Sequence, residues 1–278
     1  MKNLNKTWLL TGCSTGLGRA FAQEVLKNGY NAVVTSRNAA DILGIVENYP
    51  ETALGLAMDV TDKEQVAKVI EQAKTKFESI DVLVNNAGYG YRAAVEEAED
   101  DAVQRLFDTN FFGMVNTIKA VLPGMRKQRS GTIMNVSSIA GRFAAPGSAY
   151  YAASKFAVEG MSDALRKEVA PLGIRVIVIE PGAFRTDFAG RSLTGTQKEI
   201  SDYRETAGKR RKGNDHTHGT QPGNPQKAAQ AIIKLAESKN VPFRLLLGTD
   251  AVNSVRKELE AQSKELEDWK EISLTTDY

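Results

Sequence analysis

Short runs of consecutive apolar residues alternate with stretches of helical periodicity along most of the chain. The runs lie at 7–10, 31–35, 53–58, 81–85, 132–136 and 175–179, and helical patterns occupy 62–77, 98–126 and the region from about 149 onward. A strand that is apolar throughout is buried on both faces, and helices between parallel strands supply that cover. The sequence therefore predicts an α/β fold built on a single doubly wound parallel sheet with helices on both faces.

One domain is the expected organisation, since 278 residues is an ordinary length for a single domain of this kind. From 190 to 225 the chain turns to Thr, Gly, Asn, Lys and Arg with little periodicity, and we expect the segment from about 185 to 225 to form a substrate lid. A helix at 226–238, a strand at 243–247 and a C-terminal amphipathic helix at about 249–270 are predicted to follow.

Charge and cysteine content exclude several classes of partner. The 36 basic and 34 acidic side chains are interspersed, so no surface of one sign is expected to attract nucleic acid or an anionic membrane. Cys13 is the only cysteine, the chain start lacks a long apolar run, and no stretch approaches the roughly 18 apolar residues of a membrane span. We therefore expect a soluble protein in the cytoplasm.

A glycine-rich loop, Thr-Gly-Cys-Ser-Thr-Gly-Leu-Gly at 11–18, joins the first predicted strand to the first helix. Glycines at 12, 16 and 18 allow a tight turn and a close approach of the backbone to a ligand. The free N–H groups and the dipole of the helix that follows both favour negative charge, so the loop suits a pyrophosphate. A glycine-rich turn without a ligand is the alternative.

The spacing of this loop resembles that of the classical short-chain dehydrogenase/reductase family. Three further motifs match in order and spacing: Asn-Asn-Ala-Gly at 85–88, Tyr-Ala-Ala-Ser-Lys at 151–155 with a serine thirteen residues before the tyrosine, and Pro-Gly at 181–182. The resemblance covers residues 7 to about 190. It implies a Rossmann-like domain that passes a hydride between a nicotinamide cofactor and a carbonyl or secondary alcohol.

Tyr151 and Lys155 stand one helical turn apart, which predicts that they share a face. A lysine ammonium near a phenol favours the phenolate, so we expect a lowered pKa and an acid/base role for Tyr151. Ser138 is placed to donate a hydrogen bond to the substrate oxygen. Tyr150 and Ser137 are adjacent alternatives, but Tyr150 lies five residues from Lys155 and lacks the geometry of Tyr151.

The resemblance adds further roles. It implies that Lys155 also holds the nicotinamide ribose and that Asn110, in the long fourth helix, supports a proton relay through water. It also implies a homo-oligomer, a dimer or tetramer joined through the fourth and fifth helices. For Asn110 an ordinary structural role is the alternative.

The turn after the second strand bears on which nicotinamide cofactor is bound. It reads Ser36-Arg37-Asn38 with no acid, and an arginine there accommodates the 2′-phosphate of NADP, whereas a carboxylate would bind the ribose of NAD. NADP(H) is therefore favoured over NAD(H), with a solvated arginine as the alternative. Asp59 is expected either to contact the adenine or to cap the next helix. The complete predicted cofactor set is Gly12, Ser14, Thr15, Gly16, Leu17, Gly18, Ser36, Arg37, Asp59, Val60, Asn86, Ala87, Gly88, Tyr151, Lys155, Pro181, Gly182, Phe184 and Thr186.

Other polar and aromatic residues carry less specific signals. His216 and His218 lack the further ligands that a metal site requires, so no metal is expected. Cys13 is expected to fill space and the basic run at 209–212 to be solvated. Three aromatic residues either line the substrate pocket or lie on surface loops: Tyr89, Tyr91 and Phe143. Two arginines near the mouth of the pocket, Arg92 and Arg142, are expected to be solvated, with attraction of an anionic group as the alternative.

Two other functions fit parts of the pattern. A catalytically silent sensor or scaffold would bind NADP(H) without turnover, although an intact Ser138, Tyr151 and Lys155 set opposes it. A sugar-nucleotide epimerase or dehydratase also uses a tyrosine and a lysine. The glycine spacing and the short chain after residue 190 oppose that second alternative.

Overall fold

Seven parallel strands form the centre of the computed structural model, which describes residues 6–211 and 219–278. Their order is β3-β2-β1-β4-β6-β7-β9, and every pairing between neighbours is parallel. The strands are β1 (Thr7–Leu10), β2 (Asn31–Ser36), β3 (Ala53–Ala57), β4 (Val82–Asn85), β6 (Gly131–Val136), β7 (Ile174–Pro181) and β9 (Arg244–Leu247). The predicted doubly wound sheet is confirmed.

Helices connect these strands and lie on both faces of the sheet. They are α1 (Gly16–Lys27), α2 (Leu43–Val46), α3 (Lys63–Phe77), α4 (Asp100–Phe107), α5 (Met114–Gln128), α6 (Ala149–Val169), α7 (Pro225–Glu237) and α8 (Thr249–Leu274). The Asp62 side chain caps α3, accepting hydrogen bonds from the backbone N–H groups of Glu64 and Gln65. The predicted C-terminal helix is present and continues four residues past its expected end.

Alternate residues of each central strand enter two separate hydrophobic cores. Trp8 and Leu10 of β1 pack on one face with Phe21 of α1 and Ile232 of α7. Leu9 packs on the other face with side chains of α3, α5 and α6. Burial on both faces explains why the strands are apolar throughout.

The segment predicted as a lid has more secondary structure than its composition suggested. A short strand, β8 (Leu193–Gly195), pairs in parallel with β5 (Gly90–Arg92) outside the main sheet. The expectation that 209–212 is solvated is wrong for Arg211, whose Nη2 donates to Oε1 of buried Glu97 at 3.2 Å. This ion pair lowers the pKa of Glu97 to about 2. Lys212, His216 and His218 lie outside the described residues.

The first and last strands belong to one sheet, in which β1 lies next to the central strand β4 and β9 lies at an edge. We propose on this ground that the whole chain is a single domain. The C-terminal helix α8 is buried only at Ala251 and Val255, and its later turns are exposed. Among the described residues, no helix combines the length and apolarity needed to cross a membrane.

Packing between α1 and α7 can be tested by shortening one side chain. Ile232→Ala removes a fully buried side chain, and we expect it to lower the free energy of unfolding by about 2–5 kcal/mol. Leu43→Ala is the matched control, since Leu43 is 56% exposed and its loss should cost less than about 0.5 kcal/mol. Urea denaturation measures both. Equal effects of the two substitutions would contradict this account of the core.

Candidate active site

The loops after β1 and β4 are bonded directly to each other at the carboxyl edge of the sheet. Thr11 Oγ1 accepts hydrogen bonds from the backbone N–H groups of Asn86 and Ala87, both at 3.0 Å. The Asn86 amide in turn donates to the carbonyl oxygens of Thr11 and Gly12, also at 3.0 Å. The glycine loop and the Asn-Asn-Ala-Gly motif therefore form one rigid unit.

Two of the loop glycines are required by this contact itself. Gly12 has a φ of +70°, and a Cβ there would lie 2.7 Å from the Ala87 Cα. A Cβ on Gly18 would lie 2.3 Å from Asn86 Nδ2 and 2.3 Å from the Gly12 carbonyl oxygen. Real Cβ atoms do not approach so closely, so packing between the loops accounts for both glycines.

The start of α1 fits the pyrophosphate expected there. Thr15 is the N-cap residue, yet its side chain caps no backbone N–H, and no acid occupies the first turn. The three residues at this end of the helix are half-buried and not fully buried: Ser14, Thr15 and Gly16. The first N–H groups of the helix and its positive dipole end thus remain available to an anion.

Cys13 is fully buried beneath this loop and its Sγ lies 3.4 Å from the Leu10 carbonyl oxygen. Burial raises the pKa of the thiol to about 12, so it is protonated at neutral pH. A protonated, enclosed thiol is a poor nucleophile, in keeping with a space-filling role.

Tyr151 lies near the start of α6 and is 7% exposed, and the side chain of Ser138 lies close enough to its hydroxyl to act on its pKa. The expectation that the pKa of Tyr151 is lowered is wrong in the environment that its neighbouring side chains provide. Burial raises the pKa of the phenol, and this effect exceeds the lowering by Ser138 and by the charge of Arg92. Tyr151 is therefore a protonated phenol at neutral pH.

Lys155 lies one turn further along α6, with its Nζ 5.8 Å from the centre of the Tyr151 ring. Its ammonium donates to the Val136 carbonyl oxygen at 2.9 Å. Burial lowers the pKa of Lys155 to about 8, against an opposing effect of Glu159. The lysine can therefore gain or release a proton close to neutral pH.

Asn110 lies in a π-helical turn, Asp108–Gly113, that joins α4 to α5. Its amide bonds both backbone groups of Tyr89, accepting from the N–H at 3.0 Å and donating to the carbonyl oxygen at 2.9 Å. Nδ2 also donates to Ser154 Oγ on α6 at 3.2 Å. The widened turn brings Asn110 into the site, and π-turns are frequently found at functional positions. Ser154 is a contact that the sequence analysis missed.

The adjacent serine and tyrosine lie elsewhere. The Tyr150 hydroxyl donates to the Val95 carbonyl oxygen at 3.2 Å, on the outer side of α6. Ser137 is 3% exposed and its Oγ has no hydrogen-bond partner. The structure thus brings Ser138, Tyr151 and Lys155 together and separates Tyr150 from them.

The remaining predicted cofactor residues border the same edge. Thr186 Cβ would lie 3.6 Å from a Cβ on Gly16, which places the loop after β7 opposite the glycine loop. Asp59 Oδ1 accepts from the N–H and hydroxyl of Thr61, and Asp62 caps α3, so the expectation that Asp59 caps this helix is wrong. The other members border the same edge or pack beneath it. Leu17, Val60 and Phe184 pack on the cores, and Gly88 lies beside Asn110. Pro181 ends β7 and Gly182 follows it, and Ser36 ends β2 and Arg37 follows it.

Phe188, which the sequence analysis did not single out, packs its ring 5.9 Å from the Tyr151 ring. Tyr91 is buried and its hydroxyl bonds Glu99, so it is neither a surface aromatic nor open to a substrate. Tyr89 and Phe143 are half-buried. Arg142 is not simply solvated, because its Nη1 pairs with buried Glu180 at 3.1 Å.

A doubly wound sheet, a glycine loop at its switch point and a Ser-Tyr-Lys group beside that loop define a nucleotide-binding oxidoreductase. The family model for short chain dehydrogenases matches residues 6–196. The chain belongs to the short-chain dehydrogenase family.

Individual relatives agree over nearly the whole chain. Oxidoreductase BOA17 of Botryotinia fuckeliana is 40% identical over 274 residues, covering 98% of this chain and 100% of the relative. The 3-ketodihydrosphingosine reductase of Bacteroides thetaiotaomicron is 39% identical over 243 residues, covering 86% and 87%. The crystal structure of a short-chain dehydrogenase from Streptomyces avermitilis superimposes with a TM-score of 0.91 at 36% identity, covering 98% of each chain.

Proposed function

We propose that this protein is an NADP(H)-dependent oxidoreductase that interconverts a carbonyl and a secondary alcohol, with Tyr151 as its acid/base. The observation that carries the proposal is the grouping of three side chains: Ser138 lies beside the Tyr151 hydroxyl, and Lys155 lies one turn away on the same helix. When bound, the nicotinamide would supply or accept the hydride. The chain's own residues would bind and orient the substrate and transfer the proton.

Tyr151 is suited to donate a proton when a carbonyl is reduced. Its raised pKa keeps the phenol protonated at neutral pH, which is the form that reduction requires. Ser138 and Arg92 both favour the phenolate that remains after the proton has left. Ser138 is also placed to donate to the substrate oxygen as negative charge develops on it.

Lys155 and Asn110 support this tyrosine in different ways. Lys155 would hold the ribose hydroxyls of the bound cofactor, and with a pKa of about 8 it can return a proton toward Tyr151. Asn110 fixes the backbone of Tyr89, and its bond to Ser154 ties that backbone to the helix that carries Tyr151. We propose that Lys155 and Asn110 together maintain the proton path.

The choice of NADP(H) rests on Arg37. It is exposed at the end of β2, and within the described ranges it forms no ion pair with a carboxylate. A free guanidinium at this position can bind the 2′-phosphate by charge-assisted hydrogen bonds.

Tyr151→Phe tests the catalytic assignment. We expect turnover of NADPH with ketones, aldehydes, quinones, steroids and 3-ketodihydrosphingosine to fall by about 10²–10⁴, because the proton donor is lost. NADPH affinity, measured by fluorescence titration, should stay close to that of wild type. Tyr150→Phe is the matched control and should retain full activity, since its hydroxyl bonds only the Val95 carbonyl oxygen. Retention of most activity by Tyr151→Phe would exclude this role.

Arg37→Asp tests the cofactor. The ratio of kcat/KM with NADPH to that with NADH should fall by at least about tenfold, which corresponds to roughly 1.4 kcal/mol. Arg126→Asp makes the same charge change in an exposed residue near the end of α5 and should leave the ratio unchanged. An unchanged preference in Arg37→Asp would show that another group reads the phosphate.

We also propose that the protein forms a homo-oligomer through the helices α4, α5 and α6. Phe112, between α4 and α5, and Phe156 on α6 are 49% and 47% exposed, and exposed large apolar side chains of this kind are candidates for an interaction surface. Light scattering should give the mass of an oligomer for wild type and of a smaller species for Phe112→Glu. Leu43→Glu, an equally exposed position on α2, should not change the mass. A monomeric wild-type protein would refute the proposal.

A further inference from the structure

Arg92 lies on β5, close enough to Tyr151 for its charge to act on the tyrosine. Side chains two apart on a strand project to the same side, so Arg92 and Gly90 share one side of β5. A Cβ on Gly90 would lie 3.2 Å from the Phe188 ring, and that ring packs against Tyr151. Arg92 therefore faces the Tyr151 side of this strand.

A direct contact fixes the guanidinium there. Arg92 Nη1 donates to Ser148 Oγ at 2.6 Å. Ser148 immediately precedes α6, three residues before Tyr151, so the positive charge lies within about one helical turn of the proposed acid/base. The effect of Arg92 on the pKa of Tyr151 agrees with this short separation.

Among the described residues this cation has no carboxylate counter-ion. Its Nε is buried without a hydrogen-bond partner, and within residues 6–211 and 219–278 no carboxylate pairs with it. The glutamates that follow on the chain are bound to other groups: Glu96 to Tyr203, Glu97 to Arg211, and Glu99 to Tyr91 and Thr196. Burial lowers the pKa of Arg92 to about 10, and the charge of nearby Arg210 adds to this, yet Arg92 stays charged at neutral pH.

A half-buried guanidinium without a counter-ion is unfavourable, and an anion from outside would remove that cost. We propose that Arg92 binds an oxyanion carried by the substrate, a carboxylate or a phosphate, next to the carbonyl on which Tyr151 acts. This inference rests on the proposed function and names a substrate class for it. It replaces the expectation that Arg92 is merely solvated.

The test uses two series of substrates. In the first, oxo-carboxylates in which the distance between ketone and carboxylate increases are compared with their methyl esters. In the second, ketone phosphates are compared with the corresponding alcohols. For at least one spacing, wild type should have a KM at least about tenfold lower for the anion than for its neutral counterpart. Arg92→Gln should raise the KM of that anion by roughly 10- to 100-fold and change its kcat little. The two series of anions distinguish carboxylate from phosphate.

Two variants separate binding from a structural role. Arg92→Lys keeps the charge and should restore part of the preference for the anion. Ser148→Ala removes the contact with Arg92 but keeps the guanidinium, so the preference should persist. If Ser148→Ala reproduces Arg92→Gln, or if Arg92→Gln lowers kcat equally for anions and esters, Arg92 only positions the site and the inference is wrong.

Direct binding keeps this test independent of turnover. Calorimetric titration of wild type and Arg92→Gln with the same anions should show binding to wild type alone. If no ketone is reduced but the anions bind only to wild type, the anion site stands and the proposed reaction fails. If ketones are reduced and no anion is preferred or bound, the reaction stands and the anion site is refuted.

Discussion

The hydrogen bonds between the loops after β1 and β4 hold the rest of the site in place. The side chains of Thr11 and Asn86 each hydrogen-bond to the backbone of the other loop. These bonds join the two loops at the point where the chain crosses from one half of the sheet to the other. Ligands of open α/β sheets bind at this switch point, just beyond the carboxyl ends of the strands. Gly12 and Gly18 are required by this contact between the loops. The contact places the free N-terminus of α1 beside them, where a ligand can bind.

Burial sets the chemistry of the neighbouring side chains. It raises the pKa of Tyr151 and lowers that of Lys155, so both groups shift toward their neutral forms. The two shifts have one cause, the apolar walls that enclose the start of α6. A site of this kind holds its acid protonated until a substrate oxygen takes the proton. Arg92 is half-buried beside these groups, and among the described residues no carboxylate pairs with it.

Periodicity and motif spacing predicted the sheet, its helices and the grouping of Ser138, Tyr151 and Lys155, because each depends on local pattern along the chain. Contacts between distant segments could not be read in this way. The pairing of β5 with β8 joins residues about a hundred positions apart, and the ion pair of Arg211 with Glu97 is equally remote. The pKa of Tyr151 was predicted with the wrong sign because spacing places a lysine nearby but does not measure how deeply the phenol is buried.

The packing of α1 against α7 has a consequence for how the chain is made. Phe21 and Val25 belong to a helix that is synthesised among the first thirty residues, yet Ile232 and Ile233, which share their core, come two hundred residues later. Until then α1 lacks the cover that α7 provides in the folded protein. The core that these two helices share therefore cannot be completed before most of the chain has been synthesised.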